Sequence, residues 1–343
     1  MLREKEVTIY DIADKLKLSI ATVSRALKDD PVVNKKTKKK VFDLAEKLGY
    51  RSNHFARNLR NQRTDTIGVI VPRLNSYFMS TIIAGIENVA NNEGYNLVIS
   101  QSSEKAQKEK ENAKTLFNNR VDGLLVSLSY DTEDLDHFEQ FFKKKIPVIF
   151  FDRGEQHANS TNIMIDNKDA AYEATKHLIA QGCKRIVHIT ALPKRNVYVD
   201  RLNGYKKALA ENNIEFKEDF LIINNLSQEA GIEAADIILK MNPLPDGVFV
   251  ANDNCAVSCM LAVKNAGIRI PQDIAFAGFN NDPVSKVIEP NLTTINYRGY
   301  EMGEVAARNL INHLNGISPI HSTHTIILHA ELIIRDSSLR MNK

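Results

Sequence analysis

Of eight apolar runs between residues 66 and 281, all but the first end on a hydrogen-bonding side chain. They close at Pro72, Gln101, Ser127, Asp152, Thr190, Asn225, Asn252–Asp253 and Asn280–Asn281. Carboxylate, amide and hydroxyl groups gathered at one place, with an arginine nearby, suit a hydroxyl-rich small molecule such as a sugar. Each also has a plainer role, because Asp or Asn after a strand is a common helix cap or turn former. Binding therefore requires several of them to converge. A second group sits near the N-terminus, where "IATVSRAL" holds Ile20, Ala21, Thr22, Ser24 and Arg25. An arginine can give two hydrogen bonds to a guanine edge, and Thr and Ser suit phosphates or bases.

The apolar runs are short, continuous and separated by helical stretches: "TIGVIVP", "NLVISQ", "VDGLLVSL", "PVIFFDR", "RIVHIT", "FLIINN", "DGVFVAND" and "DIAFAGFN". Such runs read as parallel strands buried on both faces. They fall into two similar halves, roughly 66–162 and 163–290, so two doubly wound lobes are expected. Ligands of open α/β sheets bind beyond the carboxyl ends of the strands, which puts the candidate pocket in the cleft between the lobes.

The N-terminal group needs a different frame. Ile9, Ile12, Ala13 and Leu16 form one helical face after a Thr8 cap, with Asp11 at the third position. Ile20, Val23 and Leu27 form a second after a Ser19 cap. Val41, Leu44, Ala45 and Leu48 form a third, entered at Asn34 and closed by Gly49. Three short helices with a tight first turn predict a helix-turn-helix domain. Charge agrees: residues 1–63 hold 16 Lys/Arg against 8 Asp/Glu, a net of +8, while the remainder holds 29 against 34, a net of −5. A basic head on a mildly acidic body predicts a polyanionic partner for the head.

Several classes are disfavoured. No GxSxG, HExxH, P-loop or GxGxxG motif occurs, so catalysis is not expected. His321 and His324 are too few for a metal site and His313 reads as a helix-surface residue; no metal or cofactor is expected. Cys183, Cys255 and Cys259 form no CxxC pair and read as buried apolar groups. No apolar stretch reaches membrane-span length, and "MLREKEVTIYDIADK" lacks a signal-peptide core, so a cytoplasmic protein is expected.

The segment "TIYDIADKLKLSIATVSRALKDDPVVNKKTKKKVFDLAEKLGYRSN" resembles the headpiece of the lactose-repressor (LacI/GalR) family, with "ATVSRAL" and "AEKLGY" matching in residue and spacing. The resemblance implies a sequence-specific regulator that binds a pseudo-palindromic double-stranded operator as a homodimer, repression being the family default. It implies DNA contacts from Thr8, Tyr10, Lys17, Ser19, Ile20, Ala21, Thr22, Ser24, Arg25, Asn34, Tyr50 and Asn53. Lys17 stands where the family often has Gly in the turn; a left-handed backbone there costs Lys about 1 kcal/mol. The stretch "FARNLRNQR" then corresponds to a hinge helix formed on the operator. Leu59 would wedge between base steps of the minor groove, with Ala56 beside it and Arg57 and Arg60 near phosphates.

The likeness extends through the body, where "FVANDNCAVSCMLAVKNAGIRIPQDIAFAGFN" is similar to the second-lobe signature and "VIFFDR" and "LTTINY" match their counterparts. It implies a periplasmic-binding-protein-like body of two doubly wound lobes. Asp152, Arg201 and Asn252 fall where members hydrogen-bond the effector. Arg195 and Val197 share a loop with Arg201, Leu226 lines the pocket, and Tyr77 and Phe78 supply rings after the first strand; Ser127 joins them as a strand-end hydroxyl. Asn280 departs from the usual Asp of the "GFD" motif. The expected layout is a headpiece over 1–52, a hinge over 53–64 and an effector-binding and dimerisation body over 65–343. Lobe 1 would take about 65–162 and 292–322, and lobe 2 about 163–291 and 323–343. "TIILHAELIIRDS" should form the last strands, and no leucine heptad tail of the tetrameric type follows, so a dimer is expected. A sugar is the expected effector. The alternatives are a purine or nucleoside acting as corepressor, or no small molecule at all. A transport-type sugar-binding protein would need a signal peptide and no basic head.

Overall fold

The computed structural model describes residues 7–50, 63–320 and 325–340, and the chain divides into two compact units, 1–64 and 65–343. The expected contacts at Asn53, Ala56, Arg57, Leu59 and Arg60, and the residues His321 and His324, lie outside the described residues.

The first unit holds α1 (Ile9–Leu16), α2 (Ile20–Leu27) and α3 (Lys35–Lys47). Their apolar stripes meet in a small core of Ile12, Ala13, Val23, Ala26, Val33, Val41 and Ala45. The Thr8 N–H and hydroxyl both donate to Asp11 Oδ2, at 2.7 and 2.6 Å. Ser19 Oγ accepts from the Thr22 N–H at 3.1 Å and Asn34 Oδ1 from the Thr37 N–H at 2.8 Å. These side chains satisfy helix-start donors that would otherwise have no partner. Lys17 closes α1 with φ 51° and ψ 42°, the left-handed conformation expected of the turn.

The second unit carries two six-stranded sheets. The first has the order β11-β5-β4-β3-β1-β2, built from β1 (Thr66–Val71), β2 (Asn96–Gln101), β3 (Gly123–Val126), β4 (Val148–Phe151), β5 (Ser160–Ile165) and β11 (Thr325–Leu328). The second has the order β12-β10-β9-β8-β6-β7. It is built from β6 (Ile186–Thr190), β7 (Leu221–Ile223), β8 (Gly247–Val250), β9 (Ala275–Phe279), β10 (Thr293–Asn296) and β12 (Glu331–Ile333). All pairings are parallel except β12 on β10. Strand order reverses at β1 and again at β6, the switch points where doubly wound sheets bind ligands.

The lobe boundaries differ from expectation in three places. The 162/163 break falls inside β5, a strand hidden in the sequence because its first half, Ser160, Thr161 and Asn162, is polar yet buried. Thr161 Oγ1 donates to the sequence-distant Ile320 O at 2.6 Å and Asn162 Nδ2 to Glu155 O at 3.2 Å. β10 belongs to the second sheet and not to lobe 1, and β11 belongs to the first sheet and not to lobe 2. Burial on both faces holds for the inner strands only; the edge strand β2 leaves Val98 and Ile99 exposed.

Flanking helices bring the site residues into place. They include α4 (Tyr77–Asn92), α5 (Ala106–Asn118), α6 (Glu139–Lys143), α7 (Asn167–Ala180), α8 (Asn196–Glu211), α9 (Gln228–Leu239), α10 (Asp253–Asn265), α11 (Val284–Val287) and α12 (Gly299–Leu314). α4 and α12 cross at glycines. A Cβ on Gly85 would lie 2.1 Å from Tyr300 O, and one on Gly303 would lie 2.1 Å from Ile82 O. That close approach fixes the N-terminus of α4, and with it Phe78, against the segment crossing from β10.

Candidate functional site

In the headpiece, α2 buries Val23 and Ala26 and turns Ile20, Ala21 and Arg25 to solvent; Thr22 and Ser24 are half-buried. Thr8, Tyr10, Lys17, Ser19 and Asn34 are exposed too. Tyr50 differs, since its ring packs on the headpiece core. Ser19 and Thr22 also bond to each other, oxygen to oxygen at 2.8 Å. The first turn of α3 carries lysines and no acid. A helix N-terminus repels cations, so Lys35, Lys36, Lys39 and Lys40 gain nothing there from the helix itself. Lys38 alone has a local role, bound to Asp29 Oδ1 at 2.6 Å. An anion laid along this end would relieve the conflict.

In the body, a cavity of about 320 Å³ opens between the carboxyl ends of the two sheets. Of the residues expected to bind an effector, Phe78, Asp152, Val197, Arg201, Leu226, Asn252 and Asn280 line it. Three do not. Tyr77 lies half-exposed on a neighbouring groove that shares Phe78 and Asn280 as its wall. Ser127 is buried behind Asp152, its hydroxyl 3.4 Å from Oδ2. Arg195 donates to the Thr132 carbonyl instead. A strand end or a shared loop puts a residue near a cleft, but the backbone angle decides whether its side chain enters.

Arg201 is 5% exposed. Its Nε donates to Asn167 Oδ1 at 2.9 Å and one terminal nitrogen, Nη1, to Ala251 O at 2.8 Å. The guanidinium lies 3.6 Å from the Phe279 ring centroid, a cation–π contact in a desolvated setting. Nη2 has no partner among the described residues. Burial lowers the Arg201 pKa, against the pull of Tyr297, Tyr198 and Asp152. Asp152 accepts from the Tyr297 hydroxyl at 2.7 Å through Oδ1. Burial raises its pKa, and Arg153, the Tyr297 hydroxyl and Arg201 draw it back.

A further charged cluster on the wall, around Arg153, carries no local signal in the sequence. Arg153 Nη1 donates to Glu104 Oε2 at 2.8 Å and its Nη2 to the Tyr198 hydroxyl at 3.1 Å. Arg73 lies 3.4 Å from the same glutamate. Burial works against the Arg153 charge, but Tyr198, Glu104 and Asp152 together hold its pKa above the ordinary range. Arg153 directly follows Asp152, so its position was visible. Its partners lie some 50 residues away on each side, and nothing local links them. Backbone strain is a further marker: Asp152 (φ 58°), Leu226 (φ 56°) and Asn280 (φ 114°) all line the cavity in conformations that favour glycine. Such residues cost about 1–3 kcal/mol each and gather at binding sites.

Asn252 shows that cap and ligand group need not be alternatives. Its Oδ1 accepts from the Cys255 N–H at 3.2 Å and starts α10, while the same residue lines the cavity and its Nδ2 has no partner among the described residues.

A model of the lacI family of bacterial regulatory proteins matches residues 8–53, and one of the periplasmic binding protein-like domain matches 175–338. Catabolite control protein A of Priestia megaterium is 32% identical over 310 residues, 90% of this chain and 93% of that protein. The HTH-type transcriptional regulator RegA of Clostridium saccharobutylicum is 34% identical over 334 residues, 97% and 99% of the two chains. The chain belongs to the lacI family. The chain is similar in fold to a lac repressor dimer solved on operator DNA with the anti-inducer ONPF, at a TM-score of 0.85, 27% identity and coverage of 98% and 100%. This lacI-family member is thus a DNA-binding transcriptional regulator, with a helix-turn-helix headpiece and a two-lobed body that puts it under small-molecule control.

Proposed function

We propose that the effector is a sugar or a closely related polyol, held between the lobes by Asp152, Arg201, Asn252 and Asn254, and that it sets the affinity of a homodimeric repressor for its operator. The observation that carries this is the alternation of hydrogen-bonding sense on the wall. Arg201 Nη2 and Asn252 Nδ2 are donors without a partner among the described residues. Asp152 Oδ2 and Asn254 Oδ1 are acceptors, the latter because Asn254 Nδ2 is already bonded to Asp282 at 3.0 Å. A hydroxyl both donates and accepts, so neighbouring hydroxyls on a sugar ring satisfy such a wall, and the strong rejection of analogues lacking them follows from the groups left unpaired. A flat base would gain most from rings facing one another. The two rings that reach the cavity are engaged elsewhere: Phe78 packs 4.2 Å from Tyr297, and Tyr198 lies edge-on to Tyr130 at 6.3 Å.

On the headpiece, Arg25, Thr22 and Ser24 would read base edges from the exposed face of α2, and the lysines of α3 would meet phosphates. Calorimetric titration with monosaccharides, disaccharides, purine bases and nucleosides tests the effector class. Binding confined to carbohydrates is expected; binding confined to purines would overturn the assignment. Arg201→Ala is expected to weaken that binding about 10- to 100-fold, the worth of a lost charged hydrogen bond and its desolvated partner.

A further inference from the structure

Behind the cavity wall of the second lobe lies a group that none of the lining accounts for. Asp282 is 3% exposed and does not reach the cavity. Its Oδ2 accepts from Asn254 Nδ2 at 3.0 Å, and its own N–H donates to Asp253 Oδ2 at 2.8 Å. Its Oδ1 is buried with no bonded partner. A buried carboxylate oxygen left without a partner is costly, and Asn254 and Asn280, the two amides beside it, both line the cavity.

We infer that Asp282 is a positioning residue for effector recognition: it holds the Asn254 amide with its nitrogen turned inward, so that the carbonyl oxygen faces the cavity and demands a donor group from the effector. The inference rests on the cavity being the effector site, but not on the effector being a sugar. An amide is ambiguous, since either end can face a ligand; a carboxylate only accepts, so it removes the ambiguity. Asn252, two residues earlier, is fixed in the opposite sense by the Cys255 N–H. The start of α10 thereby offers one donor and one acceptor side by side. The presence of Asn rather than Asp at 280 also follows: a third carboxylate beside Asp253 and Asp282 would add like charge to a dry site.

The setting makes the device sensitive to protonation. Burial pushes the Asp282 carboxyl up to about 6, and the Asn280 side chain draws it partly back. The charged groups around it are Asp253 from α10, Arg335 from the C-terminal segment and Lys286 on α11, the short helix that follows it. Arg335 is committed to Asn281 Oδ1, Ser285 Oγ and the Leu292 carbonyl, and Lys286 is exposed. Protonating Asp282 weakens its hold on Asn254 and lets the amide turn.

The test is the side-chain amide spectrum of the full-length protein labelled with ¹⁵N-asparagine, with the Asn254 pair assigned as the one lost in Asn254→Ser. In the wild type that pair is expected at a displaced, hydrogen-bonded position that moves with a midpoint near pH 6. Asp282→Asn removes the titrating group and should abolish the movement. Asp282→Leu should send the pair to the free-amide position and leave the Asn252 pair unchanged. An Asn254 pair at the free-amide position in the wild type at all pH values, or one indifferent to Asp282→Leu, would overturn the inference. Should Asp282→Leu not fold, the wild-type titration and Asp282→Asn decide alone. With D-glucose, D-galactose, D-ribose and cellobiose as probes, any that binds should lose about tenfold in affinity with Asp282→Leu. If the amide behaves as described and none of these probes binds, it is the sugar assignment that fails.

Discussion

Arg25 in the headpiece stands exposed on an eight-residue helix over a core of seven buried residues, none larger than isoleucine. Arg201 in the body is buried, stacked on Phe279, with two of its three nitrogens bound to the protein. The first can bring its full hydrogen-bonding capacity to a large, rigid, charged partner. The second is pre-set for a small partner that must supply what one remaining nitrogen lacks. The headpiece recognises with surface and so depends on a small core to hold that surface still. The body recognises with an interior whose polar groups are already committed to one another. Core substitutions in the headpiece should therefore act through stability, and lining substitutions in the cavity through ligand selectivity.

The largest expected effect is Ile12→Ala. It should cost about 2–5 kcal/mol in the headpiece core, enough to unfold a domain of this size. Calorimetry should show the headpiece transition lost, the body transition unmoved and sugar binding intact; a fall in the body transition would break the separation between the two units.

Next is Asp282→Asn, read by thermal stability against pH. The folded pKa of about 6 exceeds the usual 3.8. The unfolded chain therefore gains from ionisation before the folded chain does. The resulting destabilisation is absent below about pH 4, grows through the window up to about 6 and is full above it, where it reaches up to about 3 kcal/mol. The variant should match the wild type in acid and melt higher above about pH 6; equal melting at all pH values would contradict the burial ascribed to this carboxyl.

Arg25→Ala should relax the preference at one base position per half-site by about 1–3 kcal/mol. A uniform loss over all sequences would make Arg25 a phosphate contact. The smallest change is Lys17→Gly. With φ at 51°, glycine relieves about 1 kcal/mol of left-handed strain, though its extra unfolded-state entropy offsets part of this. A modest rise in headpiece stability, with weaker non-specific DNA affinity from the lost charge, would separate the turn from the phosphate contact.

The same contrast explains what could be read beforehand. Helix faces such as Ile12, Val23 and Val41, and strand ends such as Asp152, Asn252 and Asn280, are local patterns, and they led directly to the headpiece core and to part of the cavity wall, whereas Phe78, Val197, Arg201 and Leu226 followed only from the family resemblance. Groups that depend on distant pairing were silent. Arg153 needs Glu104 and Tyr198, Asn254 needs Asp282, and β5 conceals itself because its buried polar half is satisfied by Ile320 and Glu155. Ser127 and Arg195 show the converse, since correct placement along the chain left their side chains facing away from the cavity. The three crossings between lobes were misplaced for the same reason: sheet membership of β10 and β11 is set by long-range pairing, not by the composition of either strand.

The most direct test of effector control from this cavity is a fluorescence-anisotropy titration of an operator duplex, with and without a sugar that binds, on the wild type and Arg201→Ala. Operator affinity in the absence of sugar should agree within about twofold between the two proteins, because the substitution lies in the other compact unit. The sugar should then shift the wild type and leave Arg201→Ala where it was. An equal shift in both proteins would mean that the controlling ligand binds elsewhere.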